Sequence, residues 1–479
     1  MPPPFIGRRH QFSALQRIYA DSASHLVTIR GRQGVGKSAL ALHSLKSETG
    51  VYHQAAQLTP EMNFRRFQND MLETLTPLVQ ASTASEIQRA QNWYTLTLAL
   101  GPAASEIGSL VVVLDDYPFL SRSDPTLETV LYDALERVKA LDQPLTLVLC
   151  GSANSHTETL FQDGSPLHGS SNLNLELLPF NYLEGAEFTP AWMPEQLVHV
   201  CTLFGGKPRY LAMLQDQVSV GENYERLVLD PNGPLHNEPT RILGADLYEP
   251  RVYASLLSAI SNGSARASQA IAASGIPASN YQKYISRLEE LDLVGRALSA
   301  DAAPGTRNLR YRVTDPFIVS WNRYVLPHLS ELRAHGGQGA WQKIVAPVLD
   351  RDLNAAPAMF EDICRQWTAQ HMEEFWKGEF GEVGQIFQGS GAPNAEIDVA
   401  CRLGSGAQTS WLLGECKWNE NAQGGDVLRR LQDSAQKVIG PVPVQQWLLF
   451  NRGGFRPDLT TQVPERTRLV SLPELYGRQ

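Results

Sequence analysis

The chain has 479 residues, 43% hydrophobic and 19% charged, and its 41 Lys and Arg against 50 Asp and Glu give a net charge of −9. At ~150 residues per domain this is about three domains of ordinary globular composition, which excludes disorder and collagen-like repeats. The negative balance also excludes a general nucleic-acid coat, so any nucleic-acid contact is expected to be local. No run approaches the ~18–20 apolar residues that span a bilayer, and MPPPFIGRRHQF lacks the charged-then-apolar order of a signal peptide. A cytoplasmic protein without membrane contact is expected. Five scattered cysteines without a C-x-x-C pair point to reduced thiols rather than a disulfide framework or a zinc site.

In chain order, HLVTIR (25–30), SLVVVLD (109–115) and LTLVLCG (145–151) are short, continuously apolar runs of the kind buried on both faces of a parallel sheet. Helical patterns lie between them, so a doubly wound α/β domain is predicted. Directly after the first run, Gly31-Arg32-Gln33-Gly34-Val35-Gly36-Lys37-Ser38 fits G-x-x-x-x-G-K-[ST] and opens a helix. Such a loop turns backbone N–H groups toward a phosphate at a helix N-terminus. Lys37 would reach the β and γ phosphates, and the Ser38 hydroxyl would ligate Mg²⁺. Gly31, Gly34, Val35, Gly36, Lys37, Ser38 and Ala39 are the predicted nucleotide contacts. At the end of the second run, Asp115 is expected to hold Mg²⁺ and Asp116 to orient the attacking water, although many ATPases carry the longer Glu at that second place.

The segments FIGRRHQFSAL, GRQGVGKSAL, LDDYPFLSRSDPTLETVL, LVLCGS, SPLHG and FGGKPRYL resemble, in this order, the prokaryotic AAA+/STAND-type family often called archaeal ATPases. The resemblance implies a P-loop core with a helical lid, with Ser152 as γ-phosphate sensor and Arg209, after Gly205-Gly206-Lys207-Pro208, as nucleotide sensor. It also implies a homo-oligomer, with a ring as one form. Two departures are visible: Asp116 stands where the family commonly has Glu, and Ser170 where it commonly has an arginine, for which Arg122 is a possible substitute.

Between about 217 and 247 the pattern turns irregular, and 224–247 is taken as a linker between the core and lid (1–223) and the next domain (248–340). There, 251–261, 265–273 and 278–291 read as three helices, the second pair joined by Ser274-Gly275-Ile276-Pro277 as in a helix-turn-helix. LVGRALSADAAPGTRNLRYRVTD follows as a β-hairpin, giving a winged helix. Residues 248–325 hold nine basic and six acidic side chains, reversing the sign of the whole chain. Arg266, Lys283, Arg307, Arg310 and Arg312 are the predicted contacts to DNA, double-stranded DNA being the expected partner. Asn280 and Gln282 are further candidates, while Tyr281, Tyr284, Ile285 and Leu288 should face inward.

From 341 onward an amphipathic helix (356–377) precedes strand-like runs at 395–402, 409–418 and 444–450, with a helix at 426–438. Strand alternation puts Glu415 and Lys417 on one side, where a neighbouring strand can bring Asp398. Two carboxylates and a lysine in this D-x16-E-x-K spacing resemble the PD-(D/E)XK nuclease core, with Glu361 as the helix carboxylate. The resemblance implies that Asp398 and Glu415 bind Mg²⁺, that Lys417 stabilises charge or activates water, and that Gln432 or Gln436 positions DNA. The expected function is an ATP-dependent or ATP-regulated DNA-processing enzyme. The alternative is a regulatory DNA-binding ATPase whose nuclease-like domain only binds nucleic acid or partners.

Overall fold

A computed structural model describes residues 5–152, 170–302, 309–387, 395–406 and 409–478. The chain divides into two compact units: Met1–Phe180 with Lys207–Ala212, and Asn181–Gly206 with Met213–Gln479. Among the described residues no helix is long and apolar enough to cross a membrane.

The first unit is built on a parallel sheet of β1 (His25–Gly31), β2 (Gly50–Gln54), β3 (Leu110–Asp115), β4 (Leu145–Ser152) and β5 (Leu173–Leu177), in the order β2-β3-β4-β1-β5. Every residue of β3 is buried, as is all of β1 but Arg30, which is why their valine- and leucine-rich runs stand out in the sequence. Alternation of side chains gives a separate core on each face: Leu26, Val112, Leu114 and Leu147 on one, Val27, Ile29, Val111 and Val148 on the other. Helices α1 (Arg9–Tyr19) and α2 (Lys37–Ser44) cover the second face. Helices α3 (Pro60–Leu75), α4 (Trp93–Ile107) and α5 (Leu127–Lys139) cover the first. The fold is therefore doubly wound. Helix α4 starts where the Asn92 side chain accepts from the Thr95 backbone N–H at 2.9 Å, satisfying one of the helix's orphan donors.

In the second unit, α6 (Pro194–Phe204) buries Leu197, Val198, Leu203 and Phe204. The segment 224–247, expected as a linker, is instead packed: Leu227, Val228, Leu229, Leu235 and His236 are all at most 1% exposed. Its Pro and Gly residues shape tight turns between buried apolar side chains, so the composition of a linker appears without its exposure. The three helices follow as α7 (Pro250–Ser261), α8 (Ala267–Ser274) and α9 (Ala278–Glu290), with Gly275 at φ +70° closing α8. Tyr281, Tyr284, Ile285 and Leu288 of α9 are buried, and the antiparallel wing joins β6 (Val294–Leu298) to β7 (Leu309–Val313). Helix α10 (Pro316–Tyr324) then leads toward the C-terminal part.

There, α11 (Ala356–Gln370) precedes a mixed sheet of β8 (Gly384–Ile386), β9 (Ile397–Leu403), β10 (Ser410–Lys417), β11 (Val444–Asn451) and β12 (Thr467–Ser471), ordered β12-β11-β10-β9-β8. The β8/β9 and β9/β10 pairs are antiparallel, and β10/β11 and β11/β12 parallel. The parallel step from β10 to β11 is crossed by α12 (Asp426–Ile439), whose Val427, Leu428, Leu431 and Ala435 join Trp411, Leu413 and Leu449 in the core. Helix α11 was expected to reach 377. It stops at Gln370, where His371 stacks on Trp367 at 4.1 Å and a short helix, Met372–Phe375, restarts.

Candidate functional site

The first candidate site lies at the carboxyl ends of the parallel strands. Gly31 ends β1 at φ +151°, so close to β5 that a Cβ would stand 2.3 Å from the Leu177 carbonyl oxygen. Gly36, at φ +95°, caps α2, whose first residue is Lys37. Lys37 is 7% exposed, and its ammonium donates to the Gly31 and Arg32 carbonyl oxygens at 2.9 and 3.0 Å. Burial lowers its proton affinity, while the charges of Asp115 and Asp116 oppose that shift. Ser38 follows it in the first turn, and Ala39 completes that turn.

Asp115 is buried at the end of β3. Its carboxylate accepts from the Tyr52 hydroxyl at 2.5 Å and from the Asp116 backbone N–H at 2.9 Å. Burial, together with the bond to Asp115, keeps the Tyr52 phenol protonated far above its usual range. Asp116 adopts a left-handed backbone at φ +52°, rare for a residue with a side chain, and its carboxylate accepts from Gln54 at 3.0 Å. Tyr52 and Gln54 were not anticipated from the sequence, and both come from the edge strand β2. Arg8 was also missed. It is buried, donates to the Val35 carbonyl at 3.0 Å and to that of Leu178, and lies 4.3 Å over the Phe180 ring, bracing the loop from beneath. Arg209 approaches the same loop, its backbone N–H donating to Gly34 O at 3.3 Å. Ser152 ends β4 opposite Gly31, while the SPLHG segment lies outside the described residues. Arg122 is exposed on the short helix Pro118–Ser123.

The second candidate site is on β9, β10 and α11. Asp398 stands one residue beyond the Val399–Gly414 pair, and its carboxylate accepts from the Cys416 N–H at 2.9 Å. Lys417 and Glu415 form an ion pair. Arg365 of α11, unremarked in the sequence, binds the group together. It donates to the Asp398 carbonyl oxygen at 2.8 Å and to Asp362 at 2.5 Å, and stands 3.7 Å from Glu361. Burial first, and then the neighbouring Asp398 charge, raises the proton affinity of Glu361; burial and Glu415 do the same to Asp398. The carboxylates therefore share one electrostatic neighbourhood, yet among the described residues no three His, Cys, Asp or Glu side chains are grouped as ligands for a metal ion.

Of the predicted DNA contacts, Lys283 is exposed with its ammonium 5.4 Å from the Tyr284 ring, and Arg266 is half-buried at the start of α8. Arg310 and Arg312 are engaged by Glu396 at 2.8 Å and Asp362 at 3.6 Å. Arg307 lies outside the described residues.

Parts of the chain are similar to known families and solved structures. Residues 5–214 match the family described as "ATPase domain predominantly from Archaea", and residues 321–429 one described as "Archaea bacterial proteins of unknown function". An uncharacterized protein of Methanocaldococcus jannaschii is 21% identical over 329 residues, which is 68% of this chain and 70% of that one. Among solved structures, a Walker-type ATPase of Pyrococcus abyssi superposes with a TM-score of 0.52 at 18% identity, over 67% of this chain and 96% of the other. The ORC2 protein of Aeropyrum pernix follows with a TM-score of 0.46 at 16% identity, over 67% and 95%. The N-terminal part thus has the sequence similarity of an archaeal ATPase domain and the fold of a P-loop ATPase. The description of the second family names no activity, so the nuclease-type reading rests on the residues themselves.

Proposed function

We propose that the chain binds and hydrolyses ATP at the P-loop, and that its nucleotide state governs duplex DNA held by the winged helix and cleaved at a C-terminal PD-(D/E)XK-type centre. The observation that carries the ATPase reading is the convergence of the Gly31–Ser38 loop with Asp115 and Asp116 at the carboxyl edge of one parallel sheet. A buried carboxylate fixed by Tyr52 and facing Lys37 is a hard oxygen donor suited to Mg²⁺, which Asp115 and Ser38 would hold. Bound there, Mg²⁺ would neutralise charge on the phosphate oxygens. Lys37 binds the β and γ phosphates, and Asp116, held by Gln54, orients the water that attacks the terminal phosphate. Ser152 and Arg209 sense the bound nucleotide.

For the C-terminal centre, support comes from the order helix, three antiparallel-paired strands, helix, parallel strand, with Asp398 and Glu415 on adjoining strands and Glu361 on the first helix. Crowded carboxylates of raised proton affinity are a donor set that a divalent cation relieves, and Asp398 and Glu415 would hold it, with Lys417 beside the scissile phosphate. The Lys417–Glu415 pair and the lack of a ready three-ligand group among the described residues favour a second reading, a regulatory ATPase whose C-terminal fold binds DNA without cutting it.

Purified protein incubated with circular duplex DNA, Mg²⁺ and ATP separates the two. Asp398→Ala and Lys417→Ala should each abolish cleavage, and cleavage that survives both eliminates this centre. Lys37→Ala should lower ATP turnover by on the order of 10²–10³; unchanged turnover means the loop is not the nucleotide site. Light scattering with and without ATP tests for the homo-oligomer, a ring included.

A further inference from the structure

The wing arginines are not presented to solvent as a free phosphate-binding pair. Arg310 reaches Glu396 at 2.8 Å while its guanidinium lies 4.1 Å over the ring of Phe387, and Arg312 stands 3.6 Å from Asp362. Backbone contacts seat the wing in the same place. The Ala300 N–H donates to the Gln385 carbonyl at 2.9 Å, the Phe387 N–H donates to Ser299 Oγ at 3.1 Å, and Ala300 packs on the core of the C-terminal sheet. The acidic partners flank the second candidate site: Asp362 follows Glu361, and Glu396 lies two residues before Asp398.

We infer that this docked wing is an autoinhibitory latch, in which Glu396 and Asp362 occupy the arginines that duplex DNA would otherwise bind, so that DNA engages Arg310 and Arg312 only as the wing leaves β8. Opening frees two cations and, in the same movement, uncovers the sheet edge beside Glu361 and Asp398. The energetics suit a switch. Glu396 is 60% exposed and Arg312 63%, and ion pairs so open to water contribute little stability, whereas a duplex offers phosphates at high density and releases counterions on contact. The acidic side chains thus need only outcompete water until DNA arrives. The inference rests on the DNA-binding reading proposed above.

The test is the affinity of the full chain for a short duplex, followed by fluorescence anisotropy at low salt with EDTA present to prevent cleavage. Glu396→Gln should tighten binding about two- to fivefold. Arg310→Ala should weaken it, and Glu396→Gln added to Arg310→Ala should give no gain, because the carboxylate then has no arginine to release. Glu382→Gln, the same charge change at another exposed position, should tighten binding less. A gain from Glu396→Gln that persists without Arg310, or no gain at all, overturns the latch. Because Arg310→Ala also removes a stacking contact, hydrogen exchange of the unsubstituted protein provides a second measurement. The Ala300 and Phe387 amides should exchange faster in the DNA complex, and unchanged protection there overturns the latch. Binding without this coupling removes the latch alone, whereas a chain that binds no duplex in any form removes the DNA-binding reading and the latch together.

Discussion

Gly31 shows how a single residue carries two constraints at once. The phosphate-loop pattern asks for glycine there, but so does β5, whose Leu177 carbonyl oxygen would stand 2.3 Å from an added Cβ, far inside any real contact. Gly31→Ala must therefore push β5 away from β1 or tilt the loop. The expected result is loss of ATP binding in calorimetric titration with little change in the circular-dichroism spectrum, since the second unit contains neither strand. Wild-type affinity in that variant would show that β1 and β5 tolerate the separation. The glycine was legible in the sequence, while its neighbour was not. Tyr52 and Gln54 were equally hidden, because their role beside Asp115 and Asp116 depends on the β2–β3 pairing between positions some sixty residues apart. Arg365 was hidden for a related reason: a charged residue on an amphipathic helix reads as solvated until the helix is placed against Asp398.

At the scale of elements, legibility follows position in the sheet. The strands apparent in the sequence, β1, β3 and β4 in one sheet and β9, β10 and β11 in the other, are the interior strands, each carrying a run of buried apolar residues, although β9 and β10 also hold the charged Asp398, Arg402, Glu415 and Lys417. Those that escaped notice, β2 and β5, then β8 and β12, are the four edges. An edge strand meets the core on fewer sides, so its run is short and half polar, as in GVYHQ and LNLEL. The three helices α7 to α9 were legible from their 3.6-residue apolar patterning, and α9 shows how much depends on that stripe. Ile285 is wholly buried among Leu256, Leu288 and Ile318. Ile285→Ala should cost about 2–5 kcal/mol through lost apolar burial and the cavity left behind. The check is hydrogen exchange in α7 and α9, which should accelerate while the amides of β1 and β3 keep their protection. Equal acceleration in both units would mean that they unfold as one cooperative body.

Over the whole molecule, charge is unevenly divided: residues 248–325 are net positive, residues 341–479 carry 14 basic against 17 acidic side chains and cancel that excess, and the remainder therefore carries the full −9. The acidity lies mainly with the nucleotide-binding part and does not argue against DNA elsewhere. The chain passes between the two units over a short stretch. Helix α6 is fixed within the second unit, where Glu195 pairs with Arg452 and His199 meets Asp350 at 2.7 Å. Immediately after it, Lys207–Ala212 is counted with the first unit, and the Arg209 N–H bonds to Gly34 of the phosphate loop. Only Gly205 and Gly206 separate the end of α6 from that segment, so under the reading proposed above a shift of the loop on nucleotide binding would reach α6 through a very short connection. A flexible Gly-Ser insertion after Gly206 lengthens the connection without touching either set of contacts. If nucleotide state governs duplex binding as proposed, basal ATP hydrolysis should survive the insertion, and the ATP-dependent change in duplex affinity expected of the unaltered chain should be lost. An ATP effect of the same size in both proteins would rule out this connection as the route by which nucleotide reaches the winged helix.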